Sequence, residues 1–286
     1  MSLSADSAID LATVVARVRG SQSLALTKVL GAPLSHAHHV MVLDSSFNPP
    51  TLAHSALASL PEPSITPDAI LLLLSVTNAD KVPKSSDATA EQRLEMMSLL
   101  AQSLYNKHVE PKLVPSEPVV SPTLHETGTR SLKTVAVGAI DAPTFVQKAN
   151  ILREALAVSR LRLSFGLGTD TIVRILHPQY YGGTVAGRDA ALSALFDGST
   201  QLVCADRPDL LPASDTNLIA SAQTFVDDGY IRFIQLPEHV AGISSSAIRK
   251  HIAAVKVADR YDNRALHTVM DSTVADYILQ NALYFT

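Results

Sequence analysis

The stretch from Val40 to His54 reads VMVLDSSFNPPTLAH. The apolar run Val40–Leu43 predicts a buried strand, Asp44-Ser45-Ser46-Phe47-Asn48 a tight polar turn, and the residues after Pro49 and Pro50 a helix start. A buried strand that opens onto exposed N–H groups and then a helix is how an α/β fold holds phosphate groups. Thr51 and His54 are three apart and share one side of that incipient helix. A histidine Nε2–H there can donate to a phosphate oxygen as charge builds in a transition state. The Thr51 hydroxyl and the N–H groups of Ser46 and Phe47 can donate to neighbouring oxygens. A T-x-x-H pair by itself is common, and a plain strand–turn–helix with an incidental histidine would produce it. The attached Ser46-Phe47-Asn48-Pro49, directly after an apolar strand, carries the functional reading.

Outward from this stretch, strand and helix patterns alternate. Residues 5–18 predict a helix, with Ile9, Ala12, Val15 and Ala16 on one face, and Leu24–Leu30 a short strand. Ile70–Val76 is an apolar run broken only by Ser75, as in a strand covered on both faces. Thr89-Ala90-Glu91-Gln92 is a capping box opening a helix whose stripe is Leu94, Met97, Leu100, Ala101 and Leu104. Residues 109–130 hold four prolines and predict mostly loop with at most a short strand. Further helices are predicted over 52–60, 145–157, 186–197, 214–227, from Ser244, and over 272–283. Further strands are predicted over 161–166, 201–204 and 231–235. The alternation implies an α/β fold, Rossmann-like, with a parallel sheet flanked by helices and a small helical C-terminal part. No Gly/Ser linker divides the chain. A single domain over 1–286 is expected, with 1–35 an N-terminal extension, 40–255 the core and 256–286 the helical part.

About two hundred residues after the first motif stands Ile243-Ser244-Ser245-Ser246-Ala247-Ile248-Arg249. Serine caps helices well, and free N–H groups at a helix start favour an anion. Ser244, Ser245 and Ser246 can present donors to phosphates. Arg249, one turn on, has the planar fork for a bidentate phosphate contact. Alone, this is also an ordinary helix cap with a solvated arginine.

The two motifs, in this order, resemble those of the nucleotidylyltransferase superfamily: a turn, Phe, Pro and a histidine, then ISSTxxR. In particular they look like nicotinamide mononucleotide adenylyltransferases of a eukaryotic, fungal branch. The resemblance spans roughly residues 40–255 and is strong at the two phosphate motifs. It implies transfer of AMP from ATP to nicotinamide or nicotinate mononucleotide by in-line attack, with release of pyrophosphate and formation of NAD. His54, Thr51, Arg249 and Lys81 would be catalytic, with Lys84 the alternative to Lys81. Ser45, Ser46, Phe47, Asn48, Gly168, Asp170, Arg207, Ser244, Ser245 and Ser246 would bind the nucleotide. Asp170 is equally suited to cap a helix, and both roles can hold. Arg93 resembles an arginine of the family on the helix after the second strand. Mg²⁺ would be held mainly by substrate phosphates, with no dedicated carboxylate cage. The family usually has Gly where this chain has Ser45, an unfavourable change if that position needs positive φ. Relatives stack the acceptor ring on aromatics, often Trp; this chain has no Trp, leaving Phe145, Tyr180 or Tyr181. A cytidylyl- or adenylyltransferase acting on another phosphate ester, and a nucleotide-binding regulatory protein without turnover, remain as alternatives.

The bulk composition limits the partners. The 286 residues are 47% hydrophobic and 17% charged, with a formal net charge of −4. That balance lacks the Lys/Arg surplus of a general nucleic-acid binder. Cys204 is the single cysteine, so no internal disulfide forms, as expected in a reducing compartment. The longest apolar run, Ala69–Val76, is too short to span a bilayer, and no secretory signal is read at the N-terminus. A cytoplasmic or nuclear protein is expected, its oligomeric state open. His36, His38 and His39 form a cluster without a metal-ligand pattern, read as surface.

Overall fold

Met41 and Leu43 pack to one side of the first predicted strand and Val40 and Val42 to the other, and all four are buried. A strand apolar on both faces must sit inside a sheet covered by helices on both sides, and it does. The computed structural model describes residues 9–59, 66–77, 86–108, 132–205, 213–262 and 264–285. Among the described residues, seven strands form one sheet: β1 (Leu24–Gly31), β2 (His39–Asp44), β3 (Ala69–Ser75), β4 (Thr134–Ile140), β5 (Arg162–Gly168), β6 (Thr200–Ala205) and β7 (Ile231–Ile234). Their spatial order is β1-β4-β3-β2-β5-β6-β7. All neighbours run parallel except β1, which pairs antiparallel with β4.

From β2 the chain steps outward through β3 to β4, then returns to the other side of β2 and steps outward through β5, β6 and β7. The direction reverses between β2 and β5. In open α/β sheets, ligands bind at such a switch point, beyond the carboxyl ends of the strands. Both the turn after β2 and the Gly168-Thr169-Asp170 segment after β5 lie there.

The helices divide between the two faces. One face carries α1 (Leu11–Val18), α2 (Leu52–Ala58), α3 (Ala90–His108), α10 (Ser245–Ile252) and α11 (Ser272–Gln280), packed with Met41, Leu43, Leu72 and Val137. The other carries α4 (Phe145–Leu156), α5 (Thr169–Leu176) and α6 (Val185–Asp197), packed with Val40, Val42, Leu71 and Phe165. Beside this second face, α7 (Ala213–Ala220) and α8 (Gln223–Asp227) precede β7, and α9 (Glu238–Ala241) leads into α10. No helix among the described residues is long and apolar enough to cross a membrane.

Several sequence expectations need correction. The sheet is mixed rather than wholly parallel, because β1 turns back along β4. Residues 9–31 are therefore part of the sheet and its cover: Val14, Val15 and Val18 of α1 are buried in the main core. The helix expected over 5–18 starts at Leu11, with the Asp10 carboxylate accepting from the Ala12 N–H at 3.1 Å. The strand β4 and the helix α5 are additions. The helix expected over 214–227 is two, α7 and α8. Its break has a visible cause. The fully buried Arg188 guanidinium takes the Ser221 carbonyl at 2.9 Å and the Ser221 hydroxyl at 2.6 Å. A continuous helix would give that carbonyl to Phe225 N–H, which instead bonds Ala222 O. The expected loop over 109–130, together with Lys81, Lys84 and Arg207, falls outside the described residues.

The segment after α10 belongs to the main core. Leu266, Met270, Val274, Ile278, Leu283 and Tyr284 pack with Phe47, Leu57 and α3. The Val269 carbonyl accepts the Leu52 N–H at 2.9 Å, filling one of the orphan donors at the start of α2.

At the end of β1, Gly31 has φ +86°, and a Cβ there would lie 2.1 Å from the Lys133 carbonyl oxygen. Gly31→Ala is expected to cost at least about 2 kcal/mol through left-handed strain and backbone displacement. Urea unfolding with a lowered midpoint and an unchanged m-value would show it; an unchanged midpoint would refute the strain.

Candidate active site

The site is built on the turn after β2. The Ser45 N–H continues the sheet by donating to Leu73 O at 3.4 Å. The left-handed backbone of this turn falls on Phe47 (φ 44°), not on Ser45, so the serine carries no conformational penalty where a glycine might be expected. Phe47 is fully buried, its ring 5.2 Å from the His54 ring at 36°. Ser46 is half-buried beside it.

Thr51 is the N-cap of α2, and His54 is the third residue of the helix. The backbone N–H of Thr51 donates to His54 Nδ1 at 3.0 Å, and the Thr51 hydroxyl lies 2.8 Å from the same nitrogen. A backbone N–H is only a donor, so Nδ1 must be the acceptor and the ring proton of the neutral imidazole sits on Nε2. That Nε2 lies 2.9 Å from Ser45 Oγ. The ring thus presents a donor toward the turn, in the tautomer a phosphate-contacting histidine needs. Thr51, expected as a second phosphate donor, is 1% exposed and faces His54. The geometry gives it an orienting task instead.

The second motif forms a cap and a clamp. Ser244 is the N-cap of α10, accepting from Ala247 N–H at 3.2 Å. The Ser245 hydroxyl donates to Pro49 O at 2.7 Å, and Arg249 Nη1 donates to Asn48 O at 2.5 Å. The two motifs are therefore joined directly, through residues 196 and 201 positions apart. Ser246 is exposed in the first turn of α10.

Asn48 is 4% exposed and fully engaged. Its Nδ2 donates to Asp87 Oδ1 at 2.8 Å, and its Oδ1 accepts from Ala88 N–H at 3.3 Å and from the Tyr284 hydroxyl at 2.7 Å. Asp87 Oδ1 also lies 3.4 Å from Arg249 Nε. Arg93 Nε donates to Ala88 O at 2.8 Å at the edge of this cluster. Burial lowers the Arg93 pKa, against the opposing influence of Tyr284 and Asp87. Burial likewise pushes the Tyr284 phenol far above its usual range, with Arg93 and Arg249 offsetting part of the effect. Tyr284 thus stays protonated as the donor to Asn48. Two arginines against one carboxylate leave this corner of the site with a positive excess suited to an anion.

On the opposite face of β2, at the same end of the sheet, Asp44 and Lys148 form a buried ion pair. Lys148 Nζ lies 4.7 Å from the centre of the Phe145 ring, which packs edge-on against Phe165 at 5.2 Å. Of the three aromatics considered for the acceptor, Phe145 stands at the carboxyl end of the sheet. Tyr180 and Tyr181 follow the far end of α5. Gly168 caps α5 at the end of β5, and a Cβ there would meet nothing within 4 Å. Thr169 is tied to Ala205 O at 2.9 Å, and Asp170 is exposed in the first turn rather than acting as the cap.

The structure therefore brings Ser45, Ser46, Phe47, Asn48, Thr51, His54, Ser244, Ser245, Ser246 and Arg249 together, with Gly168 and Asp170 at the neighbouring strand end. Sequence reasoning missed Asp87, Tyr284, Lys148 and Asp44. Asp87, two residues before the capping box of α3, carries the one local signal. The others are joined only by the fold. No group of three or more His, Cys, Asp or Glu among the described residues could hold a metal.

No family model matches this chain. A Schizosaccharomyces pombe protein, "Putative nicotinamide mononucleotide adenylyltransferase", is 32% identical over 143 residues. That match takes in 50% of this chain and 44% of the relative, so less than half of the relative's length is represented. Among solved structures, a Plasmodium falciparum nicotinic acid mononucleotide adenylyltransferase complexed with NaAD is similar with a TM-score of 0.50 at 16% identity, covering 86% of this chain and 97% of that one. The same enzyme complexed with APC gives a TM-score of 0.48 at 15% identity, covering 86% and 97%. The likeness at 0.50 is one of fold.

The tautomer assignment can be checked by ¹⁵N NMR of the His54 ring. We expect an unprotonated, pyridine-type Nδ1 and a protonated Nε2. A protonated Nδ1 would overturn the hydrogen-bond assignment at Thr51.

Proposed function

We propose that the chain is a nucleotidyltransferase that transfers AMP from ATP to nicotinamide or nicotinate mononucleotide, forming the dinucleotide and pyrophosphate. The observation that carries this reading is the direct joining of the two motifs at the switch point, with the His54 Nε2–H directed to the turn and Arg249 one hydrogen bond away from it. The named activities of the S. pombe relative and of the P. falciparum enzyme support the choice of acceptor.

In this reading a phosphate oxygen of the mononucleotide attacks the α-phosphorus of ATP in line. A new P–O bond forms, the bond from the α-phosphorus to the bridging oxygen breaks, and pyrophosphate leaves with both electrons of that bond. No protein nucleophile is needed, so the chain works by positioning and charge stabilisation. His54 Nε2–H exchanges Ser45 Oγ for an α-phosphate oxygen and follows its growing charge. The turn N–H groups of Ser46 and Phe47 add donors from the same side. Arg249, with the exposed hydroxyl of Ser246, faces the departing pyrophosphate, while the Ser245 hydroxyl, expected as a phosphate donor, is kept by the Pro49 carbonyl. Thr51 holds the His54 ring in its donor tautomer. Asp170 and Gly168, at the next strand end, border the ribose or base. Lys81 and Arg207, which lie outside the described residues, would add positive charge.

The donors gathered here suit phosphate oxygens, and the nearby carboxylates Asp44 and Asp87 are already engaged by Lys148 and Arg249. Mg²⁺ would accordingly be held by triphosphate oxygens and water, where it lowers the charge of the leaving group. The acceptor ring fits best against Phe145.

Purified protein with ATP, Mg²⁺ and either mononucleotide should release pyrophosphate and the dinucleotide in equal amounts. His54→Ala should retain its circular dichroism and lose roughly 10²–10³ in kcat. Dinucleotide formation unaffected by that substitution would remove His54 from the mechanism. ATP binding without product from either acceptor, but turnover with another phosphate ester or with CTP, would move the assignment elsewhere in the superfamily. Binding without any turnover would make the chain a nucleotide-binding protein.

A further inference from the structure

Tyr284 lies 236 residues from Asn48 in sequence, on the segment that follows α11, yet its hydroxyl is 2.7 Å from the Asn48 carboxamide oxygen. Both residues are buried, at 7% and 4% exposure. The Ala88 N–H can only donate, so the oxygen of the Asn48 carboxamide must face Ala88 and Tyr284, and its NH₂ must face Asp87. The amide cannot flip without losing its bonds to Ala88 N–H and Asp87 and turning Tyr284 from donor to acceptor. Its orientation places Asp87 Oδ1 where it meets both Asn48 Nδ2 and Arg249 Nε. Arg249 is further fixed by the Asn48 carbonyl. The Arg249 side chain, 29% exposed, is the part of this chain of contacts that reaches solvent.

We propose that Tyr284 is a positioning residue for the triphosphate site: through the Asn48 carboxamide and the Asp87 carboxylate it sets the place of the Arg249 guanidinium against the leaving phosphates. This rests on the functional reading above for its chemistry, and on the hydrogen-bond geometry alone for the linkage. A guanidinium held in advance needs no reorganisation as the pyrophosphate departs, so loss of the anchor should appear in the chemical step more than in substrate capture. Asp87 has the complementary task, supplying the charge that turns Arg249 toward the loop.

The test is a double-mutant cycle. Tyr284→Phe removes one hydroxyl and leaves the Asn48 oxygen its bond to Ala88. We expect kcat for pyrophosphate release to fall about 10-fold, the acceptor KM to change by less than about 2-fold, and the circular dichroism to stay unchanged. In an Arg249→Ala background the same substitution should have no further effect, because its action passes through Arg249. Asp87→Asn, which keeps the shape and removes the charge, should behave like Tyr284→Phe and be equally silent in that background. Equal losses with and without Arg249 would mean a purely structural hydroxyl and overturn the proposal, as would a Tyr284→Phe enzyme with unchanged kcat. If the wild type binds ATP but releases no pyrophosphate with any acceptor, the functional reading fails on its own. The cycle is then read in the dissociation constant for ATP, where additivity again overturns the linkage. A wild type that does not bind ATP overturns both.

Discussion

The site depends on two hydrogen bonds made to the backbone of one loop. Ser245 holds the Pro49 carbonyl and Arg249 holds the Asn48 carbonyl. Each is a neutral acceptor on a turn that cannot satisfy itself, since Phe47 is left-handed and Pro49 and Pro50 have no N–H to give. Charge-assisted donation from a guanidinium is among the stronger bonds available to such a carbonyl. The loop after β2 is thereby fixed from outside by α10, and α10 is oriented by what it grips. The side-chain network around Asn48 adjoins this mutual hold and secures the same loop from its other side.

The opposite face of β2 shows a second solution to the same crowding. Asp44 ends the strand inside the sheet, where an unpaired carboxylate would be strongly disfavoured, and Lys148 from α4 neutralises it. The ammonium also lies over the Phe145 ring, an arrangement favoured by the ring quadrupole. One strand end therefore carries the turn and His54 on one side and a compensated charge pair beside an aromatic on the other.

Much of the fold was legible because it is written locally. The apolar runs at 40–43 and 70–74 fit strands buried on both faces, and both are. The Thr89/Gln92 box appears with reciprocal bonds of 2.9 and 3.3 Å, and Ser244 caps α10 as its residue type suggested. What was not legible is non-local. Strand direction leaves no trace in the pattern of β1, so its antiparallel pairing could not be read. β4 was overlooked because Thr134-Val135-Ala136-Val137 follows a proline-rich stretch that dominates its surroundings. The break at Ser221 comes from Arg188, thirty-three residues away. At the site, the residue types of the two motifs singled out the segments that the structure brings together. The spacing of Thr51 and His54 placed them side by side but not in contact through Nδ1, and the joining of Asn48 to Asp87 and Tyr284 is encoded by no spacing.

The reach of those contacts has a consequence for how the molecule is made. The bonds that complete the site link positions 196, 201 and 236 residues apart, whereas the sheet from β2 to β4 and the capped helices need far shorter loops to close. Loop-closure entropy and vectorial synthesis both place such distant pairings last. On the ribosome, β2 and its turn must wait with their carbonyls solvated while five more strands and the helices between them are laid down. The site is thus a late product of folding. A chain stalled before α11 would carry a formed sheet and an unfinished loop, visible to quality control as exposed Phe47 and Leu57 rather than as a missing activity.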